Sequence, residues 1–196
     1  SVDYSLLKKM ENNVHVFSGH KTYQELKLMT EALTDDNGIL KSFSDFKKSV
    51  SGIKEIYNSA YLQTEYNLAV ASSQMGEKWN RFEEDAETFP LLQYSTVGDD
   101  VVRESHAALD DIIQPVDSEF WNNHYPPNGW NCRCSVKQLT EGEISDVSKI
   151  PNPTGMFKNN VGKTGVIFPK NHPYFQVDKE DKTIVKQALN DLQNEK

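Results

Sequence analysis

Nine residues constrain this chain more than any others. They are 126–134, PPNGWNCRC, and they hold two prolines, a glycine, a tryptophan and both of the chain's cysteines. Pro126 and Pro127 fix φ and push the residue before each toward extended or turn backbone. Asn128-Gly129 is a strong turn signal, because glycine accepts positive φ without steric cost. Residues 130–139, WNCRCSVKQL, read as a strand by alternation. Residues two apart on a strand share a face. Cys132 and Cys134 are therefore expected side by side with Val136, and Arg133 on the opposite face. That arrangement makes a poor disulfide and suits either a paired-thiol site or a small-residue core contact.

The rest of the chain bounds what this corner can serve. With 196 residues, one domain plus an appendage, or two small domains, can bury a core without disulfides. A net charge of −8 argues against a broad nucleic-acid surface, since phosphate must be neutralised by Lys and Arg. A local patch of Lys158, Lys163, Lys170 and Arg133 is the remaining route to DNA. Mean hydropathy is −0.66 and no membrane span is expected. The opening SVDYSLLKKMENN lacks the apolar segment of a signal peptide, and the missing initial Met reads as a piece of a longer chain. A lone Cys-x-Cys pair suits a reducing compartment.

The first part of the chain reads as helical, with Tyr23, Leu26, Met29 and Leu33 at helical spacing. Asp35, Asp36, Asn37 and Gly38 break it. Phe43, Phe46, Val50, Ile53 and Tyr57 mark a second helix, weakened or kinked near Gly52. Tyr61, Leu68, Met75 and Phe82 mark a third, broadened by Leu62, Ala69 and Trp79, and core packing is the expected role of this stripe. Glu65 is expected to be an exposed helical carboxylate, and Glu83, Glu84, Asp85 and Glu87 a solvated helix end. From Pro90 on the pattern shortens. Residues 91–97 read as a strand, Asp99 or Asp100 as the cap of a short helix carrying Arg103, His106 and Leu109, and Ile112-Ile113 as a strand ending at Pro115. Phe120 and Trp121 follow on a turn of helix. Thr140 to Glu143 offer one more short helix, residues 151–165 a loop, residues 166–168 a strand. Asp178 onward is an amphipathic helix on Ile184, Val185, Ala188 and Leu192. The expected fold class is α+β, with a helical part (1–88), a small module with short strands (89–178) and a C-terminal helix (179–196).

The chemistry-bearing candidates are few. Lys163-Thr164 after Gly162 lacks the spacing of a phosphate loop, and neither a G-x-S-x-G elbow nor an H-E-x-x-H helix occurs. A Cys-His nucleophile has no pattern to orient it. The sharper reading is zinc, which takes thiolates and imidazoles in a tetrahedron. Cys132, Cys134 and His106 supply three donors, and His172, His124 or Asp110 a fourth, with His172 the first choice. Against it stands a structural reading: buried cysteines as small hydrophobes and a hydrogen-bonded histidine. Arg103 has its own structural reading, an ion pair with Asp99, Asp100 or Asp110.

Taken together, STVGDDVVRESHAALDD, DSEFW and PPNGWNCRC resemble the phage Mu protein F-like family of minor head (head-morphogenesis) proteins. The family pattern, an aspartate, then Arg-x-x-His-x-x-Leu-Asp-Gly, ending in Cys-Arg-Cys, falls here on Asp100, Arg103, His106, Leu109, Asp110, Cys132, Arg133 and Cys134. Gly129 and Trp130 complete the motif at the corner. FKNNVGKTGVIFPKNHPYF and Thr64-Glu65 also look like family segments, so the resemblance covers residues 61–175. Two departures stand out. Asp111 replaces the Gly of the pattern, so a turn needing positive φ must be made differently. Arg103 and His106 stand where some relatives carry Cys-x-x-Cys, and Gly129-Trp130 where they carry His-Pro; those relatives look zinc-binding. This chain keeps fewer ligand-type residues.

The resemblance implies a non-enzymatic minor component of a phage or prophage head. It would act through protein contacts in capsid assembly or in DNA packaging and delivery, in the host bacterial cytoplasm during assembly and then in the virion head. Its partners would be the portal or other head proteins, with DNA only through the local patch and no membrane. The aromatic segment around Phe120, Trp121 and Tyr125 is one candidate contact surface; the alternative is that Trp121 and Trp130 simply fill the small core. The alternative is a metal-assisted hydrolase or nucleic-acid-modifying effector using Arg103, His106 and the two cysteines. That requires those groups to converge in an open cleft.

Overall fold

The computed structural model describes residues 3–153 and 155–194. The fold is α+β, as the sequence predicts: seven α-helices among the described residues and a three-stranded antiparallel sheet. The chain divides into two compact units, residues 66–169 with the chain's start up to Asn13, and residues 14–65 with 170 onward.

In the first unit, β1 (Leu91–Ser95) lies between β2 (Ile113–Pro115) and β3 (Ser135–Leu139). Leu92 faces Gln114 on one side and Gln138 on the other, and Tyr94 faces Val136. Strand alternation buries Leu92 and Tyr94 completely. Helix α3 (Leu62–Glu84) brings Leu68, Ser72, Met75, Trp79 and Phe82 into this core, at steps of three and four. Gln138 Nε2 donates to the Phe82 carbonyl at 3.0 Å and to that of Phe89 at 2.9 Å, tying β3 to the end of α3.

The aromatic segment is core here, not surface. Helix α5 (Phe120–His124) and Tyr125 bury Phe120, Trp121 and Tyr125. Trp121 Nε1 donates to the Pro115 carbonyl at 2.9 Å, the Tyr125 hydroxyl to that of Met75 at 2.8 Å, and Trp79 meets Tyr125 edge to face. The polar tips of Trp121 and Tyr125 each find an acceptor, so these two rings can be fully desolvated. The expectation of a docking surface there is overturned.

Three other local expectations change for identifiable reasons. Residues 140–143 form no helix; Ser145 instead pairs with the edge of β2, donating to the Ile113 carbonyl and accepting from its N–H, both at 3.0 Å. Residues 166–168 form no strand, because the Asn13 side chain takes their backbone groups. The loop at 151–165 contains a helix, α6 (Val161–Thr164), capped by Asn160 Oδ1, which accepts from the N–H groups of Gly162 and Lys163. Gly162 sits against the Trp79 indole, and α6 ends at Gly165 in the left-handed region, φ 69°.

In the second unit, helix α1 (Tyr4–Glu31) contributes Phe17, packed on the rings of His172, Tyr174 and Phe175. Helix α7 (Lys182–Asn194) half-buries Val185 and Leu189, whereas Ile184 is 70% exposed and Ala188 is also exposed. Its apolar face is thus rotated from the expected one, and the Leu192 side chain lies outside the described residues. Leu189 fits over Gly19, where a Cβ would come within 2.3 Å of its Cδ2. Helix α2 (Phe43–Glu55) starts at Ser42, whose hydroxyl accepts from Asp45 N–H, and runs through a π-helical turn (Ile56–Tyr61) into α3. The irregularity falls beyond Gly52. Glu65 is not exposed: it is 7% accessible and paired with buried Lys21 at 2.6 Å.

Candidate functional site

The corner at Gly129 is assembled from the loop before α4, from α4 itself (Glu104–Ala107) and from the turn before β3. Arg103 takes the N-cap position of α4 in extended backbone with no side-chain cap, which frees its guanidinium. Arg103 Nη2 donates to the Trp130 carbonyl at 2.7 Å. The expected pairing of Arg103 with an aspartate is replaced by one between Arg133 and Asp99, bidentate at 2.6 and 2.8 Å. That pairing holds the exposed Asp99 carboxyl below its usual range. Asp99 also accepts from Val101 N–H, folding the turn that leads to Arg103.

After α4, Leu109 is buried, Asp110 Oδ1 accepts from Thr96 N–H at 2.7 Å, and Asp111 stands in the left-handed region at φ 61°. Asp111 thus adopts positive φ itself where the pattern has glycine, being a residue type that tolerates that region, and the expectation that such a turn is made differently is overturned. Asp111 N–H donates to the Tyr94 carbonyl, and its carboxylate accepts from Gln93. Both contacts fasten the turn to β1.

Across from α4, the strand expected over 130–139 starts only at Ser135, and both cysteines precede it. Asn131 supplies the left-handed residue of the turn, φ 54°, and Cys132 N–H donates to the Gly129 carbonyl at 3.2 Å. Gly129 is needed for closeness instead: a Cβ there would lie 3.2 Å from Arg103 Nη1 and 3.6 Å from His106 Cε1. Asn128 braces the turn, accepting from the Tyr94 hydroxyl at 2.9 Å and donating to the Tyr125 carbonyl at 3.3 Å.

These contacts bring three donors together. His106, buried at 6% accessibility, has Nδ1 3.8 Å from Cys132 Sγ and 3.5 Å from Cys134 Sγ. The thiols are free and half-buried. His106 Nε2 lies 3.3 Å from the Asn128 carbonyl. A carbonyl can only accept, so the ring proton belongs on Nε2 and the Nδ1 lone pair faces the sulfurs. The thiols titrate as a pair. Cys132 is held below the usual thiol range chiefly by a hydrogen bond from Cys134; Cys134, donating that bond and buried, is pushed up. Burial and the neighbouring Cys134 raise the Tyr94 hydroxyl well above its ordinary value.

Of the remaining sequence candidates, Trp130 is half-buried and edge-on to Phe157, and Asp100 is exposed in the turn before α4. His172 belongs to the second unit, where its Nδ1 accepts from Tyr174 N–H. His124 places its ring nitrogens 3.1 and 3.2 Å from the carbonyls of Phe120 and Pro151. Of the four cations of the local basic patch, Lys163 donates to Asn122 and sits over the Trp79 ring, and Arg133 is bound to Asp99. The sequence pattern does not mark Tyr94, Asn128 or Asn131 as site residues. Asn128-Gly129 marks the turn, but nothing in the pattern places its side chain under Tyr94.

A histidine-bearing turn of helix closed by a Cys-Arg-Cys corner, on the edge of a small antiparallel sheet, defines an α+β corner module. The profile of the family described as "Phage Mu protein F like protein" matches residues 26–137, more than half of the chain, and the chain belongs to that family. It is 33% identical over 93 residues to the "Putative capsid assembly protein F" of Escherichia phage Mu, covering 47% of this chain and 21% of that protein. It is 37% identical over 78 residues to the "Mu-like prophage FluMu F protein" of Haemophilus influenzae, covering 40% of this chain and 17% of that protein. The matches thus span about a fifth of these relatives' length. No solved structure matches the chain. No helix among the described residues is long and apolar enough to cross a membrane.

Proposed function

We propose that this chain is a non-enzymatic assembly component of a phage or prophage head, acting through protein contacts with the portal or another head protein. Kinship with a protein named for capsid assembly supports the head context. The observation that carries the protein-contact part is helix α2. Its sequence places Phe43, Phe46, Val50 and Ile53 at helical spacing, yet no residue of α2 is buried. Phe43 is 78% exposed, and the segment leading into the helix adds Ile39 at 64% and Leu40 at 74%. Phe46, Val50 and Ile53 are half-buried, while Ile39, Leu40 and Phe43 are left largely in water, and apolar side chains so exposed mark an interaction site. Helix α2 sets Lys47, Lys48 and Lys54 against Asp45 and Glu55, so it is not strongly cationic, which favours a protein partner over DNA.

The test is head incorporation. The protein carrying Phe43→Asp and Val50→Asp is compared with wild type during assembly of heads by the phage that encodes it. At least a tenfold loss from purified particles is expected, with circular dichroism unchanged because Phe43 is exposed and Val50 only half-buried. Wild-type incorporation of the variant would overturn the reading.

A further inference from the structure

We propose that His106 Nδ1, Cys132 Sγ and Cys134 Sγ form a binding site for a thiophilic divalent cation, Zn²⁺ by its donor set, with the fourth coordination position open to the adjoining pocket. Three observations converge on it. The first is spacing. Around tetrahedral zinc, with Zn–S of about 2.3 Å and Zn–N of about 2.0 Å, neighbouring sulfur and nitrogen donors lie about 3.5 Å apart. The observed Nδ1 to Sγ separations are 3.5 and 3.8 Å, and the three donor atoms all lie within 4.8 Å of one another. The two imidazole–sulfur separations thus match tetrahedral edges.

The second is orientation. A histidine ligating through one ring nitrogen ordinarily gives its other N–H to a carbonyl or carboxylate, which fixes the tautomer. The Asn128 carbonyl stands 3.3 Å from His106 Nε2, on the far side of the ring from the sulfurs. Asn128 is itself held by Tyr94 and Tyr125.

The third concerns the fourth position. The donors line a pocket of about 390 Å³ together with Val97, Val101, Val102, Arg103, Asn131 and Arg133. The valines have no donor atom and a guanidinium has no lone pair. Asn131 Oδ1 already accepts from Asn67 Nδ2 at 3.1 Å. The fourth ligand is therefore exogenous, water or a small anion. His172, the first sequence choice, is engaged with Tyr174 in the second unit. Two thiolates and an imidazole select zinc over magnesium or calcium. Zn²⁺ held by two thiolates and a neutral imidazole gives a complex neutral apart from its fourth ligand.

The experiment uses the full chain, loaded with excess Zn²⁺, desalted and analysed for metal. About one equivalent is expected in wild type and in Asp100→Asn, falling at least tenfold in Cys132→Ser, Cys134→Ser and His106→Ala. Less than a tenth of an equivalent in wild type, or undiminished zinc in folded ligand variants, would overturn the site. Co²⁺ titration of wild type reads the site even where a variant does not fold. A thiolate-to-cobalt charge-transfer band is expected, and its absence counts against the site. Added azide should then shift the visible cobalt bands; unchanged bands would overturn the open fourth position.

Discussion

Asn13 does for the backbone at Phe168 what a neighbouring strand would do. Its Oδ1 accepts from Ile167 N–H at 2.9 Å and from Phe168 N–H at 2.7 Å, while its Nδ2 donates to the Phe168 carbonyl at 2.9 Å. Ile167 and Phe168 are both buried, so these backbone groups have little access to water. Asn13→Ala leaves them unpaired and is expected to cost about 3 kcal/mol. Urea unfolding checks this; Asn13→Asp, which keeps the acceptor and loses the donor, should fall between.

Gly162 and Gly52 are both helical glycines with opposite expected responses to alanine. A Cβ at 162 would lie 2.2 Å from Trp79 Cβ and 2.4 Å from Cγ, whereas nothing lies within 4 Å at 52. Gly162→Ala must displace a buried indole and is expected to destabilise by about 3 kcal/mol. Gly52→Ala should stabilise by about 0.5 to 1 kcal/mol through helix propensity alone. Denaturant midpoints of the two variants test the contrast.

The Lys21–Glu65 pair has side chains only 11% and 9% exposed. Removing one partner strands the other charge, so Glu65→Leu should cost about 3 kcal/mol, whereas Lys21→Met with Glu65→Leu should cost less than that single change. A double-mutant cycle measures it. Equal and additive costs would show that the pair is not coupled.

His172 carries the expected acid sensitivity. Burial pushes its imidazole down to about 4, and its Nδ1 accepts from Tyr174 N–H, a bond that protonation there would break. Above about pH 6.5, the ordinary value, both folded and unfolded forms are neutral. Between 6.5 and 4 the unfolded chain takes up a proton that the folded one refuses, so stability falls as pH falls, by up to about 3 kcal/mol. In His172→Gln that part of the slope should vanish, as followed by thermal unfolding across the window.

The long elements were legible because periodicity is a property of neighbouring residues. The face of α3 through Leu68, Met75 and Phe82 follows from spacing alone, and β1 from a short, partly β-branched run between Pro90 and Gly98. What was not legible depends on residues distant in sequence. Residues 166–168 have strand composition, but Asn13 satisfies their backbone from 155 positions away. Glu65 reads as a solvated carboxylate until Lys21 is placed beside it. Phe120, Trp121 and Tyr125 look like an exposed anchor because their hydrogen-bond acceptors, at Pro115 and Met75, are backbone carbonyls that no sequence pattern announces. At the corner, the meeting of His106 with both cysteines was legible from the motif. The positive φ at Asn131 and Asp111, and the role of Gly129 in close approach, were not.

The most direct test of the assembly reading is site-specific photocrosslinking from position 43 of α2 while heads assemble. The account predicts a covalent adduct with another head protein from position 43 and from position 50. No such adduct is expected from position 184, an exposed site on α7. If positions 43 and 50 yield no protein adduct in heads that nonetheless contain this chain, the exposed face of α2 is not its means of attachment, and the account is contradicted.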